Sequence, residues 1–185
     1  MKTLITYKSK YGSSKQYAQW LGEELNCDAK DLSEIKKTDM AEYDLIIHGG
    51  GLYAGRLAGL GFYKKYIKYL QENNKKLVTF ATGASPYGKK VIYEVLQHNF
   101  KGLMKDVQFF YCEGNYDYSI MTPLHKTMMK MMNKMLTKKI KDAEKQGHKP
   151  DPIDVEFQGL LFSHFERADK KWCNQIVEYV KGLEK

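Results

Sequence analysis

The chain has 185 residues, 43% of them hydrophobic and 13% aromatic, and its 30 basic against 22 acidic side chains give a formal charge of +8. That length suits one compact domain with a sizeable core, and the composition is too apolar for a disordered chain. No run approaches the roughly 20 consecutive apolar residues of a membrane-spanning helix, and the opening MKTLITYKSK lacks the apolar core of a signal peptide. Cys27, Cys112 and Cys173 are odd in number and far apart, so they make neither a paired metal motif nor a disulfide framework. The expected setting is reducing: the cytoplasm, or its face of the cell membrane.

In chain order, Leu4-Ile5-Thr6-Tyr7 predicts a first strand, followed by a turn and a helix carrying Tyr17, Ala18, Trp20, Leu21 and Leu25 on one face. A weaker strand falls near Ala29 to Leu32. Asp44 to His48 is a core strand ending in Gly49-Gly50-Gly51, and Tyr63, Ile67 and Leu70 mark the next helix. Leu77 to Ala81 is another strand, broken off by Gly83 and Pro86 before a helix with Val91, Ile92, Val95 and Leu96. Val107 to Cys112 reads as a last strand, and Ala168, Trp172, Ile176, Val180 and Leu183 space out a closing helix. Strands apolar throughout, alternating with helices, predict a doubly wound parallel α/β domain over residues 1–185. Ligands of such sheets bind at the carboxyl ends of the strands, where the turns 9–14, 49–56 and 82–88 fall.

Residues 113–164 interrupt this rhythm. Met121, Leu124, Met128, Met131, Met132 and Met135 fall on one helical face, Lys126, Lys130, Lys134 and Lys141 elsewhere, and Gly147 and Pro150 end the helix. Eight lysines against two acids between Met121 and Lys149 place +6 of the +8 in this segment. A methionine stripe beside lysines fits core packing at the sheet edge, a helix lying on an anionic membrane, or a wall for a large flat ligand. Nucleic acid is not expected as a partner, because arginines and stacking aromatics are not interleaved with the lysines.

Ser9-Lys10-Tyr11-Gly12-Ser13-Ser14 lies between the first strand and the first helix. Hydroxyls, a glycine and free N–H groups at a helix start are what a phosphate dianion needs, although a plain helix cap requires only one hydroxyl. A Walker loop is absent. Gly49-x-Gly51-x-x-Ala54 fits a relaxed dinucleotide fingerprint poorly, because its acidic residue, Glu72, ends a helix rather than a strand. No metal site is expected: His48, His98, His125, His148 and His164 lack HExxH-type spacing, and there is no GxSxG elbow.

The loop at 9–14 resembles the flavodoxin phosphate loop, [ST]-x-[ST]-G-x-[ST], with Tyr11 at the third position. The resemblance continues through Tyr43 to Tyr53 and through Thr82-Gly83-Ala84-Ser85-Pro86-Tyr87, the places of the two flavin-ring loops, and reaches residue 112. Gly114-Asn115-Tyr116-Asp117-Tyr118 and the Met- and Lys-rich helix then resemble the flavodoxin-like, quinone-dependent protoporphyrinogen IX dehydrogenases of bacteria. The resemblance implies a flavodoxin-like five-stranded parallel sheet, doubly wound with helices on both faces, and an inserted helical segment after the last strand. It implies noncovalent FMN. Ser9, Lys10, Tyr11, Gly12, Ser13 and Ser14 would hold the phosphate, and Gly50, Gly51, Leu52, Tyr53, Ala54, Thr82, Gly83, Ala84 and Tyr87 the ring. Tyr53 and Tyr87 would stack on the isoalloxazine or flank it, and Arg56 would either meet a substrate carboxylate or be a surface arginine. The glycines at 49, 50 and 51 would bare the backbone to the ring, and no residue stands out as a general base.

The implied activity is oxidation of protoporphyrinogen IX with electrons passed through FMN to a quinone. The alternative is a noncatalytic electron carrier docking on redox partners. Such carriers are typically acidic, whereas this chain is basic. An anionic porphyrinogen and a quinone in an anionic bilayer would both be drawn to positive potential.

Overall fold

A computed structural model describes residues 1–102 and 107–183. Five strands lie in one parallel sheet: β1 (Thr3–Lys8), β2 (Ala29–Asp31), β3 (Leu45–Tyr53), β5 (Lys76–Gly83) and β6 (Gln108–Glu113), ordered β2-β1-β3-β5-β6. The short β4 (Arg56–Leu57) turns back antiparallel on the end of β3. This is the doubly wound flavodoxin-like architecture, with β1 and β3 at the point where the strand order reverses.

Side chains alternate across the strands, so each strand supplies both faces. Leu4, Ile46 and Ala81 pack under α2 (Leu60–Glu72) and α3 (Lys89–Phe100), through Tyr63, Leu70, Val95 and Phe100. Ile5, Leu45, Ile47, Val78 and Phe80 pack under α1 (Ser13–Leu25) and α6 (Lys171–Gly182), through Tyr17, Leu21, Ile176 and Val180. Each of these large apolar side chains contributes about 1.5–3 kcal/mol by leaving water. Gly49 belongs to this packing, since a Cβ there would lie 2.0 Å from Cζ of Phe80.

One polar chain runs through the first face. His48 Nε2 donates to the Ala58 carbonyl (2.8 Å), so the neutral ring accepts at Nδ1 from the Thr6 hydroxyl (3.0 Å), which accepts in turn from Tyr63 (2.6 Å). Burial holds His48 down at about 4, and the arrangement fixes the turn between β4 and α2.

After β6 the chain forms a hairpin of β7 (Tyr116–Asp117) and β8 (His164–Phe165), enclosing α4 (Pro123–Lys145) and α5 (Pro152–Leu160). Both helices start on a capping side chain followed by proline: Thr122 Oγ1 accepts from His125 N–H and Asp151 from Ile153 N–H. Packing in a sheet-edge core does not describe α4, whose one buried residue is Leu136. Leu124, Met131 and Met135 are 68%, 60% and 66% exposed. No helix among the described residues is long and apolar enough to cross a membrane.

Candidate functional site

A cavity of about 410 Å³ opens at the carboxyl ends of β1, β3, β5 and β6. Its polar end is the start of α1. Gly12 caps that helix with φ of +100°, a conformation that excludes most side chains. Its own N–H donates to Ser9 Oγ (3.1 Å), which curls the loop. No side chain caps the first turn and no acid sits in it, so the N–H groups of the first turn keep their positive potential. Neighbouring hydroxyls are held in place: Ser14 Oγ lies 2.7 Å from Thr82 Oγ1, and Ser13 Oγ accepts the Asn115 N–H at 3.0 Å. An uncapped, acid-free helix start facing a cavity suits the phosphate of a flavin nucleotide. Among the described residues no lysine or arginine lines the cavity, whose carboxylates are Glu94 and Asp117. An anion there depends on backbone amides and hydroxyls.

The middle of the cavity is walled by Gly51 to Gly55 and by Thr82 to Ser85. Ala54 and Gly55, with φ of 50° and 73°, form a two-residue turn between the paired Tyr53 and Arg56. The far wall is apolar: Met121, Met128, Met129 and Met132 near α4, Phe157 on α5, and Val91 and Val95 on α3. The methionine stripe therefore divides, one edge roofing the cavity and the other lying in solvent.

Of the residues expected to hold the cofactor, Ser9, Tyr11, Ser13, Ser14, Gly51, Leu52, Tyr53, Ala54, Thr82, Gly83 and Ala84 line this cavity. Lys10, Gly12, Gly50 and Tyr87 lie outside the lining. Gly50 answers to packing, since a Cβ there would lie 2.3 Å from the Ala58 carbonyl oxygen. Tyr87 stacks on Trp172 (5.0 Å, 27°) and its N–H donates to Glu113, bracing the third loop against α6. Tyr53 accepts the Lys10 N–H at 3.0 Å and stacks on His125 at 5.4 Å, and burial raises its hydroxyl above the ordinary tyrosine value. Arg56 is exposed and outside the lining.

The cavity also gathers residues to which sequence reasoning gave no role in the cofactor site: Asn115, His125, Met129, Phe157, Glu94 and His98. His125 carried a signal, since it precedes Met129 and Met132 by four and seven residues and so shares their helical face. Burial, then the nearby Lys10, lowers its imidazole below the ordinary value. Asn115 had no such signal. Its Oδ1 accepts from both Arg167 N–H and Ala168 N–H, joining segments 52 and 53 residues apart.

The model of the flavodoxin domain matches residues 4–144. An uncharacterised protein of Methanocaldococcus jannaschii is 30% identical over 122 residues, which are 65% of this chain and 80% of that one. A solved archaeal flavodoxin shares 14% identity at a TM-score of 0.42, covering 98% of this chain and 99% of its own. A flavoprotein from Lactobacillus acidophilus, solved in complex with FMN, shares 17% identity at a TM-score of 0.39 over 60% of this chain and 91% of its own. The match along the phosphate loop, the strands and the start of the insertion settles the family: the chain belongs to the flavodoxin-domain family.

Proposed function

We propose that this protein binds FMN noncovalently and works as an oxidoreductase on a small molecule rather than as an open electron carrier. The observation that carries this reading is the single cavity joining the α1 start, both ring loops and the methionine wall of α4. A carrier that docks on partner proteins has no need of an apolar roof over its site. Bound FMN supplies one- and two-electron chemistry. The α1 amides with Ser9, Ser13 and Ser14 hold the phosphate, Gly51 to Ala54 and Thr82 to Ala84 border the ring, and the methionines exclude water beside it.

The finer reading is dehydrogenation of protoporphyrinogen IX with a quinone as acceptor. Its support is the resemblance in the insertion and a thioether wall suited to a large flat ring. The lining places carboxylates rather than cations in the cavity, so propionates of such a substrate would have to reach the lysines outside. The outer face of α4, with Leu124, Met131 and Met135 exposed beside lysines, supports docking on an anionic membrane surface on the cytoplasmic side.

The test is anaerobic incubation of the FMN-loaded protein with protoporphyrinogen and menadione, following porphyrin fluorescence. A rate above the uncatalysed control supports the finer reading, and none removes it. A purified protein that is colourless and does not quench FMN fluorescence on titration would remove the flavin reading as well.

A further inference from the structure

Three rings from three parts of the chain meet at the polar end of the cavity. Tyr11 comes from the phosphate loop, Tyr53 from the end of β3, and His125 from the first turn of α4. Their centroids are 5.4 to 6.0 Å apart, and Tyr53 and His125 are nearly parallel, at 23°. Tyr11 Oη lies 2.6 Å from His125 Nδ1.

The hydrogen bonds set the tautomer. Thr122 N–H donates to Tyr11 Oη at 3.4 Å, and His125 Nδ1 is the one acceptor in reach of the tyrosine's own proton among the described residues. Nδ1 therefore accepts, and the neutral imidazole carries its proton on Nε2. That N–H has no partner among the described residues, although His125 is half-buried and lines the cavity. This donor, its ring held by a stack and a hydrogen bond, belongs to a residue lining a space with no lysine or arginine in its lining.

We infer that His125 is a ligand of the flavin nucleotide contributed by the inserted helix, donating Nε2–H to an oxygen of the cofactor, with Tyr11 as the residue that positions it. This rests on the FMN reading above. The acceptor chemistry is shared by two parts of the cofactor, a phosphate oxygen and a ring carbonyl. Binding of the flavin then also ties α4 down over the cavity.

Isothermal titration calorimetry with FMN and with riboflavin tests this in the full chain. His125→Phe keeps the stack on Tyr53 and removes the N–H, and the expected loss of FMN affinity is about tenfold. His125→Gln, which restores an amide N–H, is expected to recover part of it. Tyr11→Phe leaves His125 in place but frees its tautomer, and is expected to fall between wild type and His125→Phe. A loss confined to FMN assigns the acceptor to the phosphate, and an equal loss for riboflavin assigns it to the ring. Wild-type affinity in His125→Phe, or equal losses in the Phe and Gln variants, would overturn the assignment in favour of packing alone. Absence of FMN binding by the wild type is a different failure, that of the flavin reading itself.

Discussion

The hydroxyls of Ser14 and Thr82 lie 2.7 Å apart in a buried hydrogen bond between the first turn of α1 and the end of β5. Two of the three loops that border the cavity are thus fixed to one another by a pair 68 residues apart. Removing one partner leaves the other hydroxyl buried and unpaired, which costs about 1–3 kcal/mol. Ser14→Ala and Thr82→Val are each expected to lower the unfolding free energy by that amount, read from urea titrations as a lower midpoint at unchanged slope. The double variant should lose clearly less than the sum, because the second change removes a group already stranded. Additive losses would mean that the two hydroxyls do not depend on each other.

His48 makes stability fall in acid. Its folded value of about 4 lies below the ordinary 6.5, so between those values the unfolded chain takes up a proton that the folded chain refuses. The contribution is complete above pH 6.5 and declines by about 1.4 kcal/mol per unit as pH falls towards 4. Urea unfolding of wild type and His48→Gln at pH 7, 5.5 and 4.5 isolates this from the carboxylates, which both proteins share. The wild type should lose stability more steeply, and parallel curves would refute the assignment.

The strands and the loops were legible in the sequence because both obey local rules. Leu45 to Ile47 must be buried on both faces, and Gly12 with its serines sits where a strand feeds a helix. The methionine stripe of α4 was only half legible. Helical spacing put six apolar residues on one stripe, but spacing has no information on where the covering surface stops. In the structure that edge runs along the helix, with Met128 and Met132 inside and Met131 and Met135 outside. Tyr87 misled for a related reason: a loop aromatic is free to turn towards either neighbour, and Trp172, 85 positions later, is the one it meets. Partnerships such as Tyr11 with His125 are set by how the insertion folds back, and no local pattern records them.

The inserted helices α4 and α5 are held to α3 by charges. Lys90 pairs with Asp151 and lies 3.6 Å from Asp154, which also meets Lys139 of α4 at 2.5 Å. Both ammonium groups are substantially exposed, so Lys90→Met is expected to cost no more than about 1 kcal/mol and to lose even that in high salt. Asp151→Ala should cost more, because Asp151 is also the cap of α5 and accepts the Ile153 N–H. Hydrogen exchange over residues 152–160 is the sensitive readout. Faster exchange in Lys90→Met at low salt, converging with wild type at high salt, is the expected pattern. Exchange unchanged at every salt concentration would show that α5 is held by its apolar contacts alone.

The outer edge of α4 yields the last prediction. Leu124, Met131 and Met135 stand in solvent, and the exposed Lys134 and Lys138 follow on one flank at helical spacing. On an anionic bilayer each lysine near the surface contributes about 1 kcal/mol, and the apolar ridge adds the burial of its exposed area. Wild-type protein should sediment with vesicles containing phosphatidylglycerol and remain in solution with phosphatidylcholine alone. The pair of reversals Lys134→Glu and Lys138→Glu should reduce partition at least about tenfold, and Leu124→Ser with Met131→Ser should reduce it even at low salt. Because these side chains lie along the solvent edge of the stripe and outside the cavity lining, FMN affinity should not change in either variant. Equal partition onto zwitterionic and anionic vesicles would separate the lysine face from any membrane role.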